Sequence, residues 1–412
     1  MRSLILQVPY GAGGLLAIFA VALLSRIIFV LALKDGFYFP DAVEYTAAAV
    51  NLLTNGEFGD GYSRAPVYPV FLAGVFAIFG EHIAAIRLVE AVLGACLAVV
   101  TAIVAKRSGG DAVGALAGLL WSLYPLGIFI VGLLYPTNVA TVLLACGILS
   151  IVTHSRNTLT PKCALIGGFF LGLTALTIPV ALLTVVTIIL WMAYWESKRR
   201  LVLLTLFLVG VAIPVTAWTV RNFNVHGRLV IVEPRLIEHI PAVGEARENK
   251  AGEEPVDKMT AILRHPDQYA SRVMREFRFF WELYPDRLQM NRPALREQMH
   301  EADSRIVRET VFGTSWTTLV SILSVGPIFF FALIGIGFMG LQKEHRRALT
   351  LLGSTILSFA IGYSFFIGKI RYRVPVEPYI MILSAYGMRE MWLVTVRKFR
   401  GVGARIPQGS EM

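Results

Sequence analysis

The stretch FPDAVEYTAAAVNLLTNGEFGDGYSRAPVYP, residues 39–69, decides how this chain is laid out. It places two carboxylates, Asp41 and Glu44, in one helical turn with Tyr45 beside them. An amphipathic run and a Gly-rich turn follow, then Arg64-Ala-Pro-Val-Tyr68-Pro69. Before it, residues 15–33 are apolar over a length that crosses a bilayer. After it, residues 66–79 are apolar but short, which suits a segment lying in the interface or dipping into the membrane better than a span. That reading makes 34–82 a single outer loop and fixes the sidedness of everything downstream.

Composition agrees with a membrane setting. Of 412 residues, 56% are hydrophobic and 16% charged, and the mean hydropathy is +0.63. Several apolar runs reach the roughly 20 residues needed to cross about 30 Å of hydrocarbon. With 66–79 not crossing, the further spans fall at 83–105, 112–134, 136–153, 163–178, 180–195, 201–220, 316–341, 348–367 and 375–394. The expected architecture is an all-α polytopic integral membrane protein, one domain over 1–412 with about ten spans, because every inner loop is then net basic. The formal net charge of +10 is read as this positive-inside bias rather than as a nucleic-acid surface. The first apolar run lacks a cleavage site and is expected to direct insertion. Both termini are expected inside, with 395–412 as a short tail. The three cysteines, Cys96, Cys146 and Cys163, sit in or beside apolar runs and form no metal-ligand spacing or disulfide framework.

Residues 221–315 form the one large outer loop, neutral overall. Within it, 244–258 reads as a flexible loop. Residues 257–286 have helical apolar spacing and end in Phe279-Phe280-Trp281, as expected of a helix on the membrane surface. Arg26, inside the first span, has two readings: snorkelling to the outer surface, or a functional role.

Charge on the wrong side points to chemistry. The last outer loop, around 368–375, carries Lys369, Arg371 and Arg373 against the positive-inside trend. One reading is a lipid phosphate, which the planar guanidinium fork suits. The other is pairing with acids of the first loop. Arg64, with Tyr68 as a hydrogen-bond donor, would clamp the same phosphate, or else anchor at headgroups. Asp41 follows Pro40 at the start of a helix over 42–53. It is either a plain N-cap or a general base that takes a proton from an attacking hydroxyl or amine, with Glu44 in reserve. Arg221 and Asn222 close another span at its outer end, as a cap or as substrate contacts, and Tyr45 is a third candidate contact. The histidines are scattered without metal-protease spacing. A divalent ion on Asp41 and Glu44 remains open. No nucleotide-binding loop of the Walker type and no dinucleotide fingerprint appears.

These residues resemble the GT-C superfamily of membrane glycosyltransferases. The likeness is nearest to the branch holding protein O-mannosyltransferases and the bacterial aminoarabinose transferase of lipid A. Four stretches carry it in order: Asp41-x-x-x-Tyr45 with Leu52…Gly56-x-Phe58; Arg64-x-Pro66-x-Tyr68-Pro69…Gly80…Arg87-Leu88; Pro214-x-x-x-Trp218-x-x-Arg221-Asn222-x-x-x-x-Gly227; and Arg371-x-Arg373-x-Pro375-x-x-Pro378. The resemblance implies sugar transfer from a polyprenyl-phosphate-linked donor to a protein, lipid or glycan acceptor on the outer face, with inversion at the sugar carbon. It implies Asp41 as base or as holder of acceptor or metal, basic residues near Arg64 and Arg371–Arg373 on the lipid phosphate, a lateral groove for the prenyl tail, and the bacterial inner membrane as location. Where many relatives carry an acid, Leu134-Tyr135-Pro136-Thr137-Asn138 is neutral, so a second acidic site residue is absent there. No soluble acceptor-binding domain is expected after the spans. The competing readings are a lipid or glycan transporter without chemistry and an assembly protein. A transporter would show repeat symmetry and mid-membrane polar residues, and the chain shows no repeat and few such residues.

Overall fold

The structure is a computed structural model that describes residues 11–59, 64–152, 159–196, 199–227, 229–233, 258–284, 293–307 and 315–403. Among these the chain is helical, and its one β-type pairing is an isolated bridge between Phe37 and Ile306.

Four helices are long and apolar enough to cross a bilayer: α1 (Ala12–Leu31), α4 (Ile83–Gly109), α10 (Arg200–His226) and α14 (Ser315–Leu341). They match the spans expected at 15–33, 83–105, 201–220 and 316–341. The amphipathic run after Pro40 forms α2 (Asp41–Asn55), which ends where Gly56 turns left-handed at φ 74°. The apolar 66–79 stretch becomes α3 (Val67–Phe79), whose 13 residues rise only about 20 Å, short of the hydrocarbon thickness.

The span expected at 112–134 is broken. It divides into α5 (Asp111–Leu123) and α6 (Pro125–Phe129), the latter continued by a 3₁₀ turn over Ile130–Gly132, with a 55° bend. Pro125 is the cause, since it supplies no amide to continue the ladder and keeps Tyr124 extended. The spans expected at 136–153, 163–178 and 180–195 appear as α7 (Pro136–Ile151), α8 (Pro161–Ala175) and α9 (Ala181–Trp195), of 16, 15 and 15 residues. Length and composition alone give four crossing helices among the described residues, or five with the bent pair as one, a count that does not confirm the ten expected.

In the segment expected as the large outer loop, α11 (Lys258–Arg264) and α12 (Pro266–Phe280) replace the single helix expected over 257–286, because Pro266 starts a new helix. The loop expected at 244–257 and the end of that helix, 285–286, lie outside the described residues, as do 404–412 of the tail. A further helix of that segment, α13 (Pro293–Ala302), leads to Ile306. The fold closes with α15 (Arg346–Ser364), a 3₁₀ turn over Ile370–Val376, and α16 (Glu377–Gly403). Helices α14 and α16 cross at Gly335 and Gly387, where a side-chain carbon would meet the Leu383 and Phe331 carbonyls. Two bare backbones in contact are a common membrane packing device.

Arg26 takes neither role expected of it. It is fully buried, and its guanidinium donates to the Ser122 carbonyl at 3.3 Å and the Trp121 carbonyl at 3.3 Å. These belong to the last turn of α5, whose acceptors the break at Pro125 leaves open. Arg26→Leu is expected to destabilise the protein by about 1.5–3 kcal/mol, the loss of charge-assisted hydrogen bonds, since the Ser122 carbonyl keeps the Ser25 hydroxyl at 2.9 Å and the Trp121 carbonyl keeps the Tyr124 N–H at 3.3 Å. Thermal unfolding of the purified protein checks this; wild-type stability would contradict the capping role.

Candidate active site

The loops expected on the outer side are tied together before any chemistry is considered. Arg87 of α4 donates to the carbonyls of Lys34 at 2.8 Å and Gly36 at 2.6 Å. Phe37 then exchanges backbone hydrogen bonds with the segment after α13, its N–H to the Arg305 carbonyl at 2.7 Å and its carbonyl to the Val307 N–H at 2.8 Å. The chain entering α2 is thus held from both sides, and α2 delivers Asp41 and Glu44 one turn apart.

Asp41 is not an N-cap. It is the first residue of α2, behind Pro40, and no side chain caps that helix start. Its carboxylate faces a cluster instead. Arg64 reaches back from the start of α3 and places Nη2 at 2.7 Å from Glu44 Oε2 and 3.4 Å from Asp41 Oδ1. The same guanidinium lies 5.1 Å over the Tyr45 ring and donates to its hydroxyl at 3.4 Å. On the other side of Asp41, the Tyr135 hydroxyl donates to Oδ2 at 3.0 Å, and Arg371 Nη2 stands 3.7 Å from the same oxygen.

Arg371 is brought from the far end of the sequence by the 3₁₀ turn after α15. It is flanked by aromatic faces, 4.6 Å from the Tyr135 ring and 4.9 Å from the Tyr372 ring, with a hydrogen bond of 2.9 Å to the Tyr372 hydroxyl. Tyr372 in turn stacks on Tyr363 at 4.3 Å. The Arg371 Nε is buried and has no hydrogen-bond partner, and 3.7 Å to Asp41 is the outer limit of an ion pair. This cation has donors to spare.

The electrostatics follow from the packing. Burial acts to lower the Arg64 pKa, but the Glu44 hydrogen bond with the nearby Tyr45 and Asp41 holds it above the ordinary arginine value. For Arg371, burial is likewise outweighed, by Tyr372, Tyr135 and Asp41. Burial pushes the Tyr45 hydroxyl up to about 12, with Asp41 and Glu233 adding to the rise and Arg64 opposing it. Tyr45 is therefore a neutral donor at physiological pH.

The remaining sequence candidates stand elsewhere. Tyr68 is fully buried on α3 and donates to Glu90 Oε1 at 2.7 Å; its ring packs edge-on against Tyr45 at 5.2 Å. Arg373 is also fully buried, paired with Glu377, and bonded to the Phe280 and Glu282 carbonyls at 2.8 Å each. Both are enclosed by the protein, away from the exposed side of the cluster, with Arg373 Nη2 buried and without a partner. Lys369 is exposed on the same turn as Arg371. Arg221 packs over Phe58 at 5.2 Å and Trp218 at 5.3 Å, and buried Asn222 bonds the Val230 carbonyl at 3.4 Å. With Trp218 bonded to the Val232 carbonyl at 2.9 Å, this group secures Val230 and Val232 after α10. Sequence reading missed Tyr135, Tyr363, Tyr372 and Glu233 as members or neighbours of the site. One signal near Tyr135 is structural: Leu134 before it adopts φ 55°, one of two non-glycine residues with positive φ among those described.

A divalent ion does not fit this arrangement. Arg64 occupies the space between the Asp41 and Glu44 carboxylates, and among the described residues no group of three His, Cys, Asp or Glu side chains converges.

Residues 63–219 match the family model for dolichyl-phosphate-mannose-protein mannosyltransferase. None of the curated proteins matches the chain in sequence. Among solved structures, the chain is similar to ArnT from Cupriavidus metallidurans bound to undecaprenyl phosphate, at 16% identity, TM-score 0.55, covering 96% of this chain and 64% of that one. It is also similar to the Archaeoglobus fulgidus oligosaccharyltransferase tethered with an acceptor peptide, at 14% identity, TM-score 0.57, covering 96% and 52%. A third similar structure is AglB from Archaeoglobus fulgidus in complex with an inhibitory peptide and a dolichol-phosphate, at 12% identity, TM-score 0.51, covering 97% and 52%. The chain thus spans between about half and two thirds of the length of these proteins. Family model and architecture agree with the resemblance read from the sequence, and the chain has the fold of the GT-C membrane glycosyltransferases.

Proposed function

We propose that the protein transfers a sugar from a polyprenyl-phosphate-linked donor to an acceptor at the outer face of the membrane, by default the bacterial inner membrane. The observation that carries this reading is the pairing of Asp41 with Arg371. A carboxylate and a guanidinium with unused donors stand 3.7 Å apart at the outer ends of helices. In the reaction, an acceptor hydroxyl or amine attacks the sugar carbon opposite the phosphate. The new bond to that carbon forms as the carbon–oxygen bond to the phosphate breaks, so the carbon inverts. The acceptor proton passes to the Asp41 carboxylate, and the charge on the departing polyprenyl phosphate is met by Arg371, with exposed Lys369 on the same turn in support.

Arg64 serves this scheme by holding Asp41 and Glu44 in place, and Tyr135 by fixing the Asp41 carboxylate. Tyr45, Arg221 and Asn222 remain proposed substrate contacts; Tyr68 and Arg373 act behind them as supports. The similar structures bound to undecaprenyl phosphate and to dolichol-phosphate support a lipid phosphate as leaving group. A transporter without chemistry gains nothing from Arg26, whose donors go to helix carbonyls within the protein.

The experiment is mass spectrometry of lipids that co-purify with the protein from its host, wild type against Arg371→Ala. The expected result is a polyprenyl phosphate, with or without sugar, bound to wild type and reduced at least about tenfold in the variant, the scale of one charge-assisted contact. Bulk phospholipid alone in both preparations would overturn the phosphate assignment.

A further inference from the structure

One buried carboxyl beneath the ion cluster has no part in the scheme above. Glu90 is fully buried on α4, about 10 Å below that helix's outer end by the rise of seven residues. Its Oε1 accepts the Tyr68 hydroxyl at 2.7 Å. Its Oε2 has no partner, and neither has Oδ1 of Asn138, which is also buried. The Asn138 amide is not free to turn over: its Nδ2 donates to the Glu90 backbone carbonyl at 2.9 Å, so flipping it would set oxygen against oxygen. Arg87, three residues before Glu90, spends its Nη1 and Nη2 on the Lys34 and Gly36 carbonyls. The Arg87 Nε is buried and also without a partner, and no hydrogen bond reaches Glu90 Oε2 from it. One oxygen of a fully buried carboxyl is therefore left without a donor, and a single proton on Oε2 removes that bare charge and leaves Oε1 to Tyr68.

We propose that Glu90 is held as a neutral carboxylic acid and is a positioning residue for the transfer site, acting through Tyr68. The path is short. Tyr68 packs edge-on against Tyr45 at 5.2 Å, and Tyr45 lies 5.1 Å beneath the Arg64 guanidinium that pairs with Glu44 and Asp41. A neutral acid suits this place, since an unpaired charge so far from water is expensive and an uncharged carboxyl still accepts from the Tyr68 hydroxyl and orients it.

The activity part of this inference rests on the proposed function; the protonation state does not, so the two are tested apart. The infrared difference between wild type and Glu90→Gln, each in detergent at neutral pH, is expected to contain the carbonyl band of a protonated acid. Carboxylate bands there instead would overturn the proposal. In transfer assays Glu90→Gln, which presents the same acceptor to Tyr68 without a charge, is expected to stay near wild type. Glu90→Leu is expected to lose about tenfold or more in kcat, the effect of leaving the buried Tyr68 hydroxyl unpaired, while still retaining the lipid donor. A Gln variant as impaired as the Leu variant would overturn the positioning role. A wild-type protein that shows the acid band but transfers no sugar would overturn the proposed function and leave the state of Glu90 standing.

Discussion

Asp41→Asn is expected to lower sugar transfer by about 10²–10⁴-fold, the range a placed general base supplies, without unfolding the protein or releasing its lipid. Asparagine keeps the shape and still accepts the Tyr135 hydrogen bond that now spans 3.0 Å. Arg64 keeps its shorter contact, 2.7 Å to Glu44, so the turn of α2 stays tied to the start of α3. What asparagine cannot do is take the acceptor's proton. The measurement is the initial rate of transfer together with the amount of bound polyprenyl phosphate. A near-normal rate would move the base elsewhere, first to Glu44, the other carboxylate on Arg64.

Arg373→Met is expected to be the most destabilising change in this part of the chain. Arg373 and Glu377 are both fully buried one helical turn apart, and Arg373 also closes the carbonyls at the end of α12 and lies 4.8 Å over the Phe329 ring. Removing only the cation leaves a buried carboxylate without its partner, which costs about 3–5 kcal/mol. Replacing both, as Arg373→Met with Glu377→Leu, is expected to recover much of that loss, because the apolar pair needs no solvation. Thermal unfolding of the single and double variants checks it. A single variant that unfolds like wild type but sheds its polyprenyl phosphate would contradict the structural role and return Arg373 to the donor site.

Arg371 and Arg373 show where sequence reading stops. Both were legible as cations on the wrong side of the membrane, and nothing in the pattern separated them. The separation comes from the 3₁₀ turn over Ile370–Val376. At three residues per turn, side chains two apart point about 120° from each other, so one guanidinium meets Asp41 and the other enters the core. Asp41 and Glu44 fared better, since a spacing of three on a helix puts both on one face, and Arg64 joins them there. Tyr135 was hidden because tyrosines crowd every membrane interface, and only the fold sets this one against Asp41. The break in the span at Tyr124-Pro125 was readable from the proline, yet the surrounding hydropathy masked it. Arg26 was unreadable, because the sequence does not say that a broken helix would bring it open carbonyls. The number of crossing helices also stayed out of reach, since short apolar helices such as α7, α8 and α9 carry the composition of a span without its length.

The most direct test of the central claim needs no knowledge of the acceptor's identity. The purified protein, reconstituted in vesicles with polyprenyl-phosphate-linked sugars drawn from its host's membranes and with the host's outer-face acceptor fraction, is followed by mass spectrometry of the lipid pool. The account predicts that the donor loses its sugar and free polyprenyl phosphate accumulates, with wild type and not with Asp41→Asn. A donor that stays intact, or that changes leaflet without losing its sugar, would contradict it.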